Sequence, residues 1–361
     1  MSVERSMREA LRLAHGSRGN TSPNPAVGAV VVDASGAVVG SGAHERAGAD
    51  HAEVVALRQA GEKARGATLY VTLEPCLHHG RTPPCTEAIK AAGIARVVSA
   101  LEDPDPRVKG AGHERLRALG MEVEVGAGAA QAAQINRMYL HHRRTGLPFV
   151  TLKMAQTLNG KIAARPGERR QLSGARAVKV VRAMRYEHDA VMVGAGTVVI
   201  DDPLLTVRPF KARAVPYTRI VVDARGRIPR TAKVLRDQKR FATIVATTDL
   251  MPAAVREDFE KMGVKVLICE RSPEGGVQLE DLLRKLGTDG MLSILCEGGP
   301  TLAAALAAGK HVEEFAWLLA PRLLADMESV DVLKGTMDVA LEIDSMKHVG
   351  EDWLVTAKRG E

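Results

Sequence analysis

Apolar positions in the first 146 residues alternate between a helical and a strand period. Met7, Ala10, Leu11 and Ala14 recur at helical spacing, and Pro23 and Pro25 then interrupt the chain. Residues 27–32 read as a strand, 33–36 as a turn and 37–40 as its hairpin partner. A helix over 52–64, a strand over 67–73 and a short helix over 86–92 closed by Gly93 follow. The pattern then predicts a strand over 96–101, a helix over 112–119 closed by Gly120, a strand over 121–125 and a helix over 129–142. Such alternation predicts a three-layer α/β domain.

The run His141-His142-Arg143-Arg144-Thr145-Gly146 reads as a solvated charged face, and the domain boundary is placed near Gly146 and Pro148. The pattern restarts with a strand over 149–154. Further strands are predicted over 190–193, 219–222, 243–247, 264–268 and 292–296, with helices over about 174–185, 252–262, 278–286 and 301–308 between them. This is a second α/β domain. The expected division is 1–146 and 147–361, in keeping with about 100–200 residues per domain. Each part is long enough to bury its own core.

Composition narrows the class. Apolar residues make up 45% and charged residues 26%, as in an ordinary globular chain. The formal charge of +7 suits either nucleic acid or small anions. Aromatic residues are only 3%, which leaves few platforms for stacking bases, and no Lys/Arg block forms a tail. Small phosphorylated ligands are therefore the expected partners, and nucleic acid is not. Two of the four cysteines, Cys269 and Cys296, sit in apolar runs and read as reduced core thiols, so a cytoplasmic setting is expected. The N-terminal residues lack the apolar stretch of a signal peptide, and no run approaches the length of a membrane span.

The other two cysteines belong to the sharpest constellation: His51-Ala52-Glu53, then Leu73-Glu74-Pro75-Cys76, then Pro83-Pro84-Cys85. One imidazole and two thiolates make a three-ligand set for a catalytic zinc that keeps a fourth position open for water and acidifies it. Glu53, two residues past His51, is placed to move protons and is not a ligand, as in zinc nucleobase deaminases. Cys85 opens the helix over 86–92, whose N-terminal field is expected to favour its thiolate. Taken singly these residues would read as core cysteines and an exposed histidine; their joint spacing argues otherwise. Eight residues, 77–84, separate the cysteines, and this spacer carries two histidines and an arginine suited to a polar or anionic substrate.

These segments, together with Thr21-Ser22-Pro23-Asn24-Pro25-Ala26-Val27-Gly28, resemble the pyrimidine deaminase of riboflavin biosynthesis. The long spacer distinguishes that family from cytidine and tRNA adenosine deaminases. The resemblance implies a cytidine-deaminase-like fold and substrate contacts from Asn24, His44, His78, Arg81, Asp103 and Asp105, with His78 and Arg81 facing a phosphate. The family often has Asn where this chain has Asp105.

In the second half, Leu152-Lys153-Met154-Ala155 runs into the loop Gln156-Thr157-Leu158-Asn159-Gly160. Val193-Gly194-Ala195-Gly196-Thr197, Asp201-Asp202-Pro203-Leu204-Leu205-Thr206-Val207-Arg208 and Cys296-Glu297-Gly298-Gly299-Pro300-Thr301 follow. Glycines between strand and helix let backbone amides approach a phosphate, although such a turn is equally often only structural. The full Gly-x-Gly-x-x-Gly spacing is missing, so a Rossmann domain is not predicted. The set is similar to the reductase half of the same bifunctional family, which has a dihydrofolate-reductase-like α/β fold and uses NADPH to reduce a phosphoribosylamino-uracil to its ribityl form. That resemblance implies a cofactor site lined by Ala155, Gln171, Thr197, Asp201 and the turn Gly299-Pro300-Thr301, and substrate contacts from Arg169, Arg185, Leu205, Arg208 and Glu297. Bacterial members commonly have Asp at Asn159, and Trp-Ile-Thr at Gln171-Leu172-Ser173.

The chain is thus expected to be a zinc and NADPH enzyme with two consecutive activities, and a homo-oligomer is compatible with it. The alternative reading is a zinc deaminase of RNA or nucleosides with a non-catalytic reductase-like second domain.

Overall fold

A computed structural model describes residues 3–77, 83–168, 171–207, 213–335 and 338–360. The chain divides into two compact units, Met1–Gly146 and Leu147–Glu361. Among the described residues no helix is long and apolar enough to cross a membrane.

The first unit runs α1 (Val3–Gly16), β1 (Gly28–Val32), β2 (Val38–Ala43), α2 (Ala52–Ala60), β3 (Thr68–Val71), α3 (Cys85–Ala91), β4 (Arg96–Ser99), α4 (Ala111–Ala118), β5 (Glu122–Val125), α5 (Ala129–Ile135) and α6 (Arg137–Thr145). Its sheet has the order β2-β1-β3-β4-β5, with β1 antiparallel to both neighbours and β3, β4 and β5 parallel. Alternation along β1 puts Gly28, Val30 and Val32 on one face and Ala29 and Val31 on the other. Val30 and Val32 pack with Met7 and Ala10 of α1 and Ala132 of α5. On the opposite face, Ala29 pairs with Gly42 and Val31 with Gly40. A Cβ at Gly40 would lie 2.1 Å from the Ala56 carbonyl oxygen, and one at Gly42 would lie 2.5 Å from that of Ala52. Only glycine lets α2 lie this close to β2. The three layers are therefore α1 and α5, the sheet, and α2 with its neighbours.

The helix expected over 129–142 is two helices. Asn136 leaves the helical region at φ −102° and ψ 16°. Its buried amide accepts the Ala26 N–H at 2.8 Å and donates to the Ala26 carbonyl at 2.9 Å. The break is thus tied to the loop before β1.

The second unit contains β6 (Phe149–Thr157), β7 (Lys161–Ala163), α7 (Ala175–Glu187), β8 (Ala190–Gly194), α8 (Ala195–Asp201), β9 (Thr218–Val222), β10 (Ala242–Thr247), α9 (Ala253–Lys261), β11 (Lys265–Ile268), α10 (Leu279–Thr288), β12 (Ser293–Cys296), α11 (Pro300–Ala308), β13 (Glu314–Ala320), β14 (Val330–Asp331), β15 (Leu341–Val349) and β16 (Asp352–Arg359). The large sheet has the order β11-β10-β9-β8-β12-β6-β13-β16-β15, and β14 pairs separately with β7. It is parallel from β11 to β13, and an antiparallel hairpin, β15 and β16, closes one side. The hydrophobic pattern predicts neither α8 nor any element after residue 308.

Helices α10 and α11 pack on the face of Val150, Leu152 and Met154. Helices α8 and α9 pack on the face of Val191 and Val193, and α7 packs against Ala316 and Leu318. Connections from β6 towards β11 travel one way along the sheet, and those from β11 to β12 and β13 return. Right-handed crossovers place these two sets of helices on opposite faces. The neighbours β8 and β12 therefore send their chains in opposite directions, which opens a crevice at their carboxyl ends where α/β sheets bind ligands.

Candidate active sites

In the first unit every sequence-predicted group that is described gathers at one edge of the sheet. His51 is the N-cap of α2, Cys76 follows β3, and Cys85 is the first residue of α3. His51 Nδ1 lies 3.1 Å from Cys85 Sγ and 3.5 Å from Cys76 Sγ. The three ligand atoms all lie within 4.8 Å of one another, and among the described residues no other His/Cys/Asp/Glu group is so placed. A convergent nitrogen and two sulfurs match the donor set of a catalytic zinc.

The N-terminal turn of α3 acts on the other cysteine from the one expected. The Cys85 N–H donates to Cys76 Sγ at 3.4 Å, and the Thr86 N–H donates to the Cys76 carbonyl at 3.2 Å. Hydrogen bonds from Cys85 and then His51 pull the Cys76 thiol well below its usual range, whereas Cys76 and burial push Cys85 up.

Glu53, 3% exposed, lies one turn into α2 beside these groups, and burial raises its pKa. A cavity of about 310 Å³ opens onto Glu53, His51 and Cys76, and Asn24, His44, Asp103 and Asp105 also line it. The Asp50 carbonyl can only accept, so His44 Nδ1, 3.1 Å away, carries the proton. His44 Nε2 then accepts from the Asn24 amide at 3.0 Å. Burial keeps this histidine neutral by lowering its pKa.

Three further residues line the cavity: Arg107, Tyr139 and Arg143. Arg143 belongs to the run expected to be a solvated face, yet it turns inward, and His142 beside it is buried. The Tyr139 hydroxyl donates to both oxygens of Asp103, at 3.1 Å each. Arg107 grips Asp105 with two hydrogen bonds of 2.9 and 2.6 Å and holds its carboxyl down at about 2. A positioning group also escaped the sequence reading. Buried Glu74 accepts backbone N–H bonds from Asp103, Gly110, Gly112 and His113 at 2.8–3.2 Å, tying the loop after β4 to the segment bearing Cys76. His78 and Arg81 lie outside the described residues.

In the second unit, Glu297 follows β12 and Arg185 sits near the end of α7. Arg185 grips Glu297 through Nε and through Nη2, the latter at 2.9 Å, and its Nη1 reaches the Thr206 carbonyl at 3.3 Å. Burial opposes the ionisation of both, but each partner holds the other charged. The β6–β12 register sets Leu152 beside Cys296, which puts Lys153 next to Glu297. Burial lowers the Lys153 pKa, and Glu297 counters it. This lysine was not among the residues singled out from the sequence.

The turns at the ends of β8 and β12 also meet. Gly299 is the N-cap of α11 with Pro300 next, and a Cβ on Gly299 would touch Thr197 Oγ1 at 3.5 Å. The first turn of α11, with Thr301, and the Thr197 hydroxyl of α8 thus stand together, a helix N-terminus with a hydroxyl of the kind that suits a phosphate, and Asp201 ends α8. Ala155 lies in β6 near its carboxyl end. Gln171 is exposed and donates to the Ser173 carbonyl at 3.3 Å. Leu205 has a left-handed backbone at φ 48°, and its side chain is packed in the core, so only its backbone is left for a ligand. Asn159 accepts from Thr157 Oγ1 at 2.7 Å and from the Leu324 N–H, and it donates to the Leu324 carbonyl at 2.6 Å. A carboxylate could not make that last bond, so the amide has a structural use here. Arg169 and Arg208 lie outside the described residues.

Comparison with known proteins identifies both parts of the chain. Residues 1–101 match the cytidine and deoxycytidylate deaminase zinc-binding region, and residues 148–355 match the RibD C-terminal domain. The riboflavin biosynthesis protein RibD of Aquifex aeolicus is 42% identical, covering 98% of this chain and 97% of its own length. That of Escherichia coli is 39% identical, with 98% of each covered. The solved structure of Acinetobacter baumannii RibD superposes with a TM-score of 0.91 at 34% identity, covering 99% of both chains. A deaminase/reductase structure from Thermotoga maritima gives 0.85 at 31% identity, covering 99% and 98%. The chain therefore belongs to the RibD family of riboflavin biosynthesis proteins, bifunctional enzymes that join a zinc-dependent deaminase to an NADPH-dependent reductase.

Proposed function

We propose that residues 1–146 deaminate 2,5-diamino-6-(5-phosphoribosylamino)pyrimidin-4(3H)-one and that residues 147–361 then reduce the resulting 5-amino-6-(5-phosphoribosylamino)uracil to its ribityl form, in the cytoplasm. The substrate class follows the Thermotoga maritima relative, which is described as a diaminohydroxyphosphoribosylaminopyrimidine deaminase and 5-amino-6-(5-phosphoribosylamino)uracil reductase. The observation that carries the reading is the convergence of His51, Cys76 and Cys85, with His51 and Cys76 lining the same cavity as Glu53.

His51, Cys76 and Cys85 would hold zinc, which supplies Lewis acidity to activate water. Glu53 takes a proton from the attacking water, delivers it to the ring nitrogen and passes a second to the departing amine, so that water is consumed and ammonia leaves. Asn24 and the neutral His44 orient the pyrimidine, with Asp103 and Asp105 behind it. His78 and Arg81 are assigned to its phosphate by resemblance.

In the second unit the turn Gly299-Pro300-Thr301, whose N–H donors come from Gly299 and Thr301, with Ala155, Gln171, Thr197 and Asp201, would hold NADPH, which supplies the reducing equivalent. Arg185 and Glu297 hold the substrate together with Arg169, Arg208 and the Leu205 backbone. Lys153, half-buried beside Glu297, gives a proton to the ribose oxygen as the ring opens. Replacement of one zinc ligand separates the two activities. Cys85→Ser should lose zinc and ammonia release while still oxidising NADPH when given the deaminated uracil. Loss of both activities in a folded variant would overturn the two-site assignment.

A further inference from the structure

Arg185 carries a fork to Glu297, and its own main chain is held by a second arginine. Arg213 lies in the connection between α8 and β9, and its side chain is only 6% exposed. Its Nη1 donates to the carbonyl oxygens of Arg185 at 3.2 Å and Tyr186 at 2.7 Å, and to that of His188. These carbonyls stand at the end of α7, where the helix offers them no partner of its own and a positive charge is favoured. The guanidinium lies against the Tyr186 and Tyr217 rings, 5.8 and 5.4 Å from their centroids.

The bonding is reciprocal. Arg185 Nη1 reaches the Thr206 carbonyl in the segment after α8, and Arg213, from the same segment, reaches back to the Arg185 carbonyl. Arg213 also adjoins the strand that bears Glu297. Its Nη2 is 3.8 Å from Asp189 Oδ1, while Asp189 Oδ2 accepts the Leu292 N–H at 2.9 Å and the Asp189 N–H donates to Ser293 Oγ at 3.1 Å. Ser293 opens β12, and Glu297 follows its last residue. One guanidinium therefore relates the main chain of Arg185 to the strand that presents Glu297. Stability alone is a poor reason for this arginine. Its Nε and Nη2 are buried without a hydrogen-bond partner among the described residues. Burying a cation on those terms costs more than apolar packing would, so its contribution is geometric.

We propose that Arg213 is a positioning residue of the reductase: through the last turn of α7 it sets where Arg185 places its fork on Glu297, and so governs binding of the uracil substrate without touching it. The inference rests on the reading above in which Arg185 and Glu297 hold that substrate.

The test compares wild type, Arg213→Met, Arg213→Lys and, as a control, Leu282→Ala, which opens the buried core under α10. NADPH oxidation is followed with supplied deaminated uracil, below the melting transition of each variant. Arg213→Met should raise KM for the uracil about 10-fold and leave KM for NADPH within about twofold. Arg213→Lys should raise the uracil KM only about threefold, because an ammonium still meets part of the α7 carbonyl set. Leu282→Ala should lower the melting temperature and change neither KM. A lowered melting temperature with unchanged uracil KM in either Arg213 variant, or an equal rise in both KM values, would overturn the proposal. A double-mutant cycle checks that Arg213 acts through Arg185. In Arg185→Lys protein, adding Arg213→Met should change the uracil KM by less than about twofold, and a full further 10-fold rise would sink the idea. If Arg185→Lys alone left the uracil KM unchanged, the failure would fall on the reading that Arg185 holds the substrate, and the proposal would go with it.

Discussion

The Gly112 N–H meets Glu74 Oε1 at 2.8 Å, and a Cβ on Gly112 would lie 2.2 Å from the Pro75 carbonyl oxygen. The start of α4 is thus pinned to the backbone of Glu74-Pro75, one residue from Cys76. Among the described residues the hydrogen bonds to Glu74 come from the backbone N–H groups of four residues of the loop after β4 and the start of α4, and His113 Nδ1 stands 3.8 Å from its Oε1. Glu74→Gln would turn an N–H2 group towards those donors, at a cost of about 1–3 kcal/mol for each lost or opposed bond. The variant should lower the melting temperature and reduce ammonia release, while reduction of supplied uracil continues. Thermal unfolding and the two separate activity assays check this; unchanged deamination would remove the positioning role.

Glu53→Gln keeps His51, Cys76 and Cys85 in place and removes only the proton carrier. Zinc content should stay near one equivalent, and deamination should fall by about 10²–10⁴-fold. Metal analysis beside an ammonia assay measures both, and a variant of near-normal rate would refute the proton-transfer role.

Glu313 offers a pH test away from both sites. Burial raises its pKa from 4.5 to about 7, although the Val150 N–H donates to it at 2.6 Å. A raised acid favours folding while it is protonated, so its contribution is full below about 4.5 and is lost as pH rises through about 7. Glu313→Gln should therefore unfold like wild type at pH 4 and be more stable at pH 8, by up to roughly 3 kcal/mol. A difference that is the same at both pH values would contradict this.

What could be read from the sequence was local. His51-Ala52-Glu53 shows its chemistry because the ligand and proton carrier are neighbours on one helix turn, and Cys76 and Cys85 announce themselves beside prolines. The roles of Glu74, Tyr139 and Arg143 depend on partners brought from distant segments. Glu74 finds its donors 29–39 residues later, and Tyr139 meets Asp103 across 36. A basic run gave no sign that one of its arginines would turn into a cavity. The helix over 129–142 concealed a break because Asn136 is bonded to Ala26, 110 residues away.

The strands after residue 308 were hidden for a different reason. In β15, paired along one side with β16 at the sheet edge, Ile343 and Met346 are exposed, and a bulge between Ile343 and Ser345 breaks the two-residue period. Leu205, assigned to substrate by resemblance, is a core side chain on a left-handed backbone, a placement that spacing does not reveal.

The central claim is that one chain carries out both reactions in order. The direct measurement incubates the purified zinc-loaded protein with the phosphoribosyl diaminopyrimidine, with and without NADPH, and follows ammonia and NADPH together. The account predicts ammonia release in both samples and NADPH oxidation that lags behind it and consumes one equivalent per ammonia. NADPH oxidation without prior ammonia, or no ammonia from the folded, zinc-loaded protein, would contradict it.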